Sequence, residues 1–251
     1  MPYPGDVRPE YEALARDFRG LAAAFDLTVD EPFERDLVLV AASFEAIDRY
    51  VDATHDSVDR MRLCAAILGT LREPRADDLV RGELAATLVA VRARLLVLGA
   101  LYAFVAHLER FFVRSEVLRS TATGAEFVRC VLDEARCAAA MTLLVVPLHR
   151  MEGAARFARF FRVLSEIANL VDKLHDVRGD WSRGEMTVRP GLGLHVLLVV
   201  AFAIRLPSLL VLARRPWQVL AWGARYVMPG SSNRELRAAR SQVTSAPMTR
   251  R

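Results

Sequence analysis

Lysine is nearly absent: Lys173 is the only one in a chain whose 34 basic residues are otherwise arginine. Those arginines are scattered among 30 acidic residues rather than interleaved with aromatics on one stripe, so the formal net charge of +4 gives no case for a nucleic-acid partner, and none is expected. Cysteine is scarce as well. Cys64, Cys130 and Cys137 are odd in number, lack a CxxC spacing and fall inside helical patterns, which argues against a disulfide framework or a zinc site. They read as small buried apolar residues in a reducing compartment. Alternating polar and apolar runs bounded by turn residues are missing, which excludes a β architecture. Paired Glu-x-x-His motifs are missing too, and with them the di-iron bundle. Met1–Glu10 carries Pro2, Pro4, Pro9 and early acids instead of a basic stretch followed by an apolar core, so no signal peptide is expected and the cytoplasm is the expected compartment. No apolar run reaches the roughly twenty residues that spanning a membrane requires. The best of them, Leu192–Ile204, covers 13 residues before Arg205.

What the chain does have is apolar residues recurring at three- and four-residue spacing almost throughout. Its hydrophobic fraction is 53% and its mean hydropathy +0.20, so a large interior, an apolar cavity or some membrane contact must absorb that surface. The periodicity predicts helices over 10–25, 33–53, 57–71, 77–118, 124–146, 150–178, 192–205 and 208–226. The stretch 77–118 exceeds ordinary helix length, and a break is expected between Arg92 and Gly99. Pro207 is expected to separate the last two helices, and Pro216 to kink or restart the final one. Residues 231–251 are basic and polar without periodicity, the composition of a disordered tail. The expected organisation is an extension over 1–9, one all-α antiparallel bundle over 10–230 and a tail over 231–251. The final helix pair, bearing Arg205, Arg214, Arg215 and Arg225, suits peripheral contact with a membrane interface.

Two acidic faces stand out. Within the segment 43–59, Glu45, Asp48 and Asp52 lie three and four apart, on one side of a helix that follows the apolar run Leu37–Phe44, with Asp56 and Asp59 just beyond. Like charges at that spacing destabilise a bare helix, so something should compensate them. Arg49, Arg60 and Arg62 are one possible source, and a hard cation is another. Asn169, Asp172, Asp176 and Asp180 repeat the pattern at intervals of three, four and four, below the apolar residues Phe160, Phe161, Val163, Leu164 and Ile167. Two such faces, each ending a greasy helix, suggest two helices meeting across one site.

Magnesium prefers carboxylate oxygen and accepts protein ligands from one side while phosphate or water fills the other. Metal ions bridging carboxylates and a diphosphate also stabilise it as a leaving group. Departure from an allylic carbon leaves a cation that needs a dry aromatic-walled cavity. Candidate walls are Phe44, Tyr50, Tyr102, Phe104, Phe111, Phe112, Phe127, Phe157, Phe160 and Phe161.

These segments resemble the class I isoprenoid synthase superfamily, which includes trans-prenyl diphosphate synthases, squalene/phytoene synthases and class I terpene synthases. Asp172-Lys173-Leu174-His175-Asp176-Val177-Arg178-Gly179-Asp180 is similar to the second aspartate-rich segment, DDxxD with a further aspartate four residues on. Residues 176–185, DVRGDWSRGE, resemble the DVxxDxxxGR segment of phytoene synthases equally well. Asp48-Arg49-Tyr50-Val51-Asp52 takes the place of the first motif, and Trp217 with Arg225-Tyr226 resembles the ending of bacterial terpene synthases. Lys173 stands where the second Asp of DDxxD would be, and Arg49 where many relatives have Asp, so the carboxylate count is reduced.

The resemblance implies a bundle around a central apolar cavity, with two or three magnesium ions held by Asp48, Asp52, Asp172, Asp176 and Asp180. The diphosphate is expected at Arg129, Arg178, Arg225 and Tyr226. Asp48, Asp52, Asp176 and Asp180 are the expected catalytic group. Ionisation of an allylic prenyl diphosphate followed by cyclisation or elimination is the expected reaction, a lyase in preference to a transferase because only one diphosphate site is suggested. The alternatives are coupling of the squalene/phytoene-synthase type and a non-catalytic helical protein of the same fold that binds a lipid or a partner. A homodimer is compatible with each.

Overall fold

The computed structural model describes residues 9–27, 31–73, 78–145, 153–213 and 215–217. Among them are eight helices: α1 (Pro9–Ala23), α2 (Glu31–Asp52), α3 (Ser57–Arg72), α4 (Gly82–Val97), α5 (Leu101–Ser120), α6 (Gly124–Leu143), α7 (Ala154–Ser182) and α8 (Leu192–Leu212). The all-α class expected from the periodicity is what the chain forms. Glu45 is helical, but its side chain lies outside the described set, as do Arg225, Tyr226 and the predicted tail.

Local chemistry explains the boundaries. Asp56 caps α3, its carboxylate accepting from the backbone N–H of Val58 and Asp59 at 2.9 and 3.0 Å. One aspartate of the first acidic cluster is therefore a helix cap. Thr123 caps α6 through Glu126 N–H at 3.2 Å. Between α4 and α5 the chain turns at Gly99, whose φ of +65° lies in the left-handed region. The amides of Gly99 and Ala100 fold back on the carbonyls of Leu96 and Leu95 at 3.0 and 2.9 Å, a Schellman ending. This is the expected break, at the edge of its predicted window. Gly184, at φ +74°, ends α7 in the same way, with Glu185 N–H reaching Asp180 O at 2.9 Å.

Pro207 departs from expectation, because α8 runs straight through it. Proline removes the amide that would bond the carbonyl of Ala203, but both residues are exposed, so that carbonyl can turn to solvent. Leu198 and Ala201 before the proline and Leu209 after it are all buried, which holds both halves of the helix to the bundle.

The helices pack mainly as chain neighbours from α5 to α8, with α2 laid against α4 and α3 against α5. One core gathers residues from every helix. Its densest part is aromatic. Phe157 is fully buried on α7, with ring centroids of Phe18, Phe25 and Phe161 at 5.4, 5.4 and 6.1 Å. Phe44 of α2 meets Phe104 and Phe111 of α5 at 6.1 and 6.3 Å. Tyr102, a candidate wall residue, is instead 85% exposed. A second, smaller core joins α6, α7 and α8 around Phe127, Val131, Leu170 and Leu198.

Because Phe157 is enclosed by rings from α1, the turn after it and α7, Phe157→Ala should leave a void that rigid neighbours cannot close. We expect a loss of about 3–5 kcal/mol in urea-denaturation stability with the helical far-UV signal retained at zero denaturant.

Candidate functional site

The end of α5 carries charge on what is otherwise its buried side. Phe104, Leu108 and Phe112 lead to Ser115, Glu116 and Arg119 at helical spacing. Glu116 pairs with Arg60 of α3 through two contacts, Nη2 to Oε2 at 2.9 Å and Nε to Oε1. Arg60 also donates to the carbonyls of Thr54 and His55 at 3.1 and 3.2 Å, which secures the turn between α2 and α3. Arg119 donates from Nη2 to Asp52 Oδ1 at 2.6 Å. Its Nε is buried and, among the described residues, meets no acceptor.

Glu134 of α6 is close enough to Arg119 to feel its charge, lies on a face shared with Cys130, Val131 and Cys137, and is 6% exposed. Burial pushes its carboxyl above the ordinary glutamate value, against the opposing pull of Lys173, Arg119 and hydrogen bonds from Ser115 and Asn169. Asn169 also donates to Val131 O at 2.7 Å, tying α7 to α6. For Lys173, burial works against the ammonium, but Asp180, Glu134 and Asp172 outweigh it, and the group sits above the usual lysine value. Lys173 donates to Asp180 Oδ2 at 2.9 Å, Arg183 takes the other oxygen at 2.7 Å, and Arg183 bonds Glu185 at 2.7 Å.

The result is a seam of alternating charge from α2 to α7: Asp52, Arg119, Glu134, Lys173, Asp180. Both acidic faces end on it, one at each end. They are joined through α5 and α6 rather than around a single point. Among the described residues no three Asp, Glu, His or Cys side chains gather as metal ligands. Asp48 is exposed on α2, and Asp172 and Asp176 are half-buried on α7. Asp59, from the first cluster, pairs with Arg62 at 3.3 Å.

Of the expected diphosphate cations, Arg129 and Arg178 are exposed. Asp133, the residue that helical spacing offers to Arg129, takes Arg136 at 2.9 Å and Arg114 at 3.4 Å. Arg225 and Tyr226 lie outside the described residues. The seam's own cations are Arg119, which the sequence reading passed over, and Lys173, which entered it as a departure from a motif. A signal for Arg119 and Glu134 was present. Each is a charged residue on the apolar face of its helix, where a buried partner is required.

Burial of Glu134 has a consequence for pH. Its carboxyl is raised in the folded protein, so below the ordinary value of 4.5 both states hold the proton and nothing is lost. Above that value the unfolded chain releases the proton first, and native stability falls until the folded group has titrated. Glu134→Gln has no proton to release. Thermal melts between about pH 4 and about pH 8 should show the native protein losing ground to this variant as pH rises. A constant difference would mean that Glu134 is not raised. Comparison with protein-family models, with curated proteins and with solved structures gives no match for this chain.

Proposed function

We propose that the seam between α2 and α7 binds the oxyanionic head of a prenyl diphosphate, in a helical protein of the isoprenoid-synthase type. The observation that carries this reading is Arg119. Its guanidinium donates to Asp52 and acts electrostatically on Glu134, and its buried Nε–H lacks an acceptor among the described residues. A buried donor left unmade costs about 1–3 kcal/mol, which a phosphate oxygen would recover. Lys173 of α7, held by Asp180, supplies a second donor. Asp52 is half-exposed, so it can give up its bond to Arg119 at little cost when a more highly charged oxyanion arrives.

The same geometry bears on magnesium. Asp180 has both oxygens engaged by Lys173 and Arg183, and Asp52 is engaged by Arg119. As these pairs stand, a magnesium ion at Asp52 or Asp180 would have to displace Arg119, Lys173 or Arg183. Ionisation followed by cyclisation or elimination is the second reading. What favours it is that Asp172 and Asp176 share a half-buried face beside Lys173.

Binding of farnesyl diphosphate and of inorganic diphosphate, followed by calorimetry, tests the first reading. A charge-assisted bond is worth about 1.5–3 kcal/mol, so Arg119→Leu should weaken both by about 10- to 100-fold. Equal affinity in the variant and the native protein would remove the seam from consideration. Pyrophosphate release from geranyl, farnesyl or geranylgeranyl diphosphate with magnesium, lost in Asp176→Asn while the fold persists, would establish the second reading instead.

A further inference from the structure

Helix α8 has an apolar outer face with no charge on it. The helix is 21 residues long, about 31 Å at roughly 1.5 Å per residue, and only 22% of its most apolar stretch is buried inside the molecule. Leu194, Leu198, Ala201 and Leu209 face the bundle. The opposite side presents Leu192, Val196, Val199, Val200, Ile204 and Val211, with Leu192, Ile204 and Val211 exposed by 82, 65 and 77%. Arg205, the only charged residue of the helix, lies on the inner side. Its Nε donates to Glu166 of α7 at 2.6 Å, and Glu166 accepts Arg136 of α6 at 2.5 Å on its other oxygen. The outer side therefore carries no Asp, Glu, Lys or Arg, and its polar side chains are His195 and Ser208.

The chemistry just beyond α8 suits a lipid surface. Arg215 and Trp217 are exposed where the helix ends. From position 214 to 251 the sequence carries eight arginines and one acid, Glu235, together with Trp222 and Tyr226. Tryptophan and tyrosine favour the level of lipid headgroups, and a run of arginine favours anionic ones. The helix is long enough to cross a bilayer, but its neighbour argues against crossing. Helix α7, packed along α8, exposes Arg159, Arg162, His175 and Arg178, charges that a spanning α8 would bring toward the hydrocarbon.

We infer that α8 lies flat in the interface of an anionic membrane, its outer face sunk among the acyl chains and the exposed Arg215 and Trp217 at its end at the level of the headgroups. This stands apart from the proposal for the charged seam and does not require it.

Flotation of the full chain with vesicles of phosphatidylcholine, alone or mixed with phosphatidylglycerol, tests the inference. Binding is expected to the mixed vesicles above the neutral ones. The double substitution Val199→Asp and Ile204→Asp, at exposed positions that leave the core intact, should lower the bound fraction by about tenfold or more with an unchanged thermal melt. Vesicle binding indifferent to that substitution and abolished by salt would assign attachment to the arginines alone and overturn the role of α8. A dimer in sedimentation equilibrium that the substitution dissociates, with no vesicle binding, would overturn it in favour of a second copy of the chain.

Discussion

A charge placed on the apolar face of a helix has to be met by an opposite charge from a neighbour, and this requirement organises α5 to α8. Glu166 is 5% exposed and accepts one arginine from α6 and one from α8. Glu166 is the buried member, while Arg136 and Arg205 reach it from more exposed positions. The apolar contacts around Phe127, Val131 and Leu198 bring the three helices together. They tolerate rotation and sliding. A carboxylate gripped from two sides does not, so Glu166 sets the face that α8 turns inward and, with it, the face left outside.

The seam from Asp52 to Asp180 applies the same rule to a longer path. Arg119 and Lys173 alternate with Asp52, Glu134 and Asp180, so each cation lies beside carboxylates of two helices. Satisfying those carboxylates internally has a chemical consequence: a metal ion would have to compete with guanidinium and ammonium for the oxygens they bond. Lys173 is the residue through which this happens on α7. It replaces a potential ligand with a fixed positive charge at the centre of the second acidic face. The apolar face of α8 and the charged seam each rest on their own observations.

The periodicity of apolar residues was enough to read the helices, because which residues are buried along a single helix depends on spacing alone. A break between Arg92 and Gly99 was legible from helix length alone, and the structure places it at Gly99, where a left-handed ending suits glycine. Pro207 was misread. A local rule says that proline ends a helix, but here burial on both sides of the proline outweighed one lost hydrogen bond. Asp56 and Asp59, counted with an acidic face, turned out to serve a helix cap and a surface ion pair. Nothing in their spacing distinguishes those roles from metal binding.

Sequence by itself determined the helical class, the two acidic faces, the buried cysteines and the apolar character of the segment that became α8. All of these depend on neighbours within four residues along the chain. Only the tertiary structure decided what the carboxylates bond to and which side of α8 is left uncovered. Asp52 and Arg119 are 67 positions apart, and Glu166 and Arg205 are 39 apart. Such pairings follow from how helices pack in space, where charge and shape are matched between segments that share no local pattern.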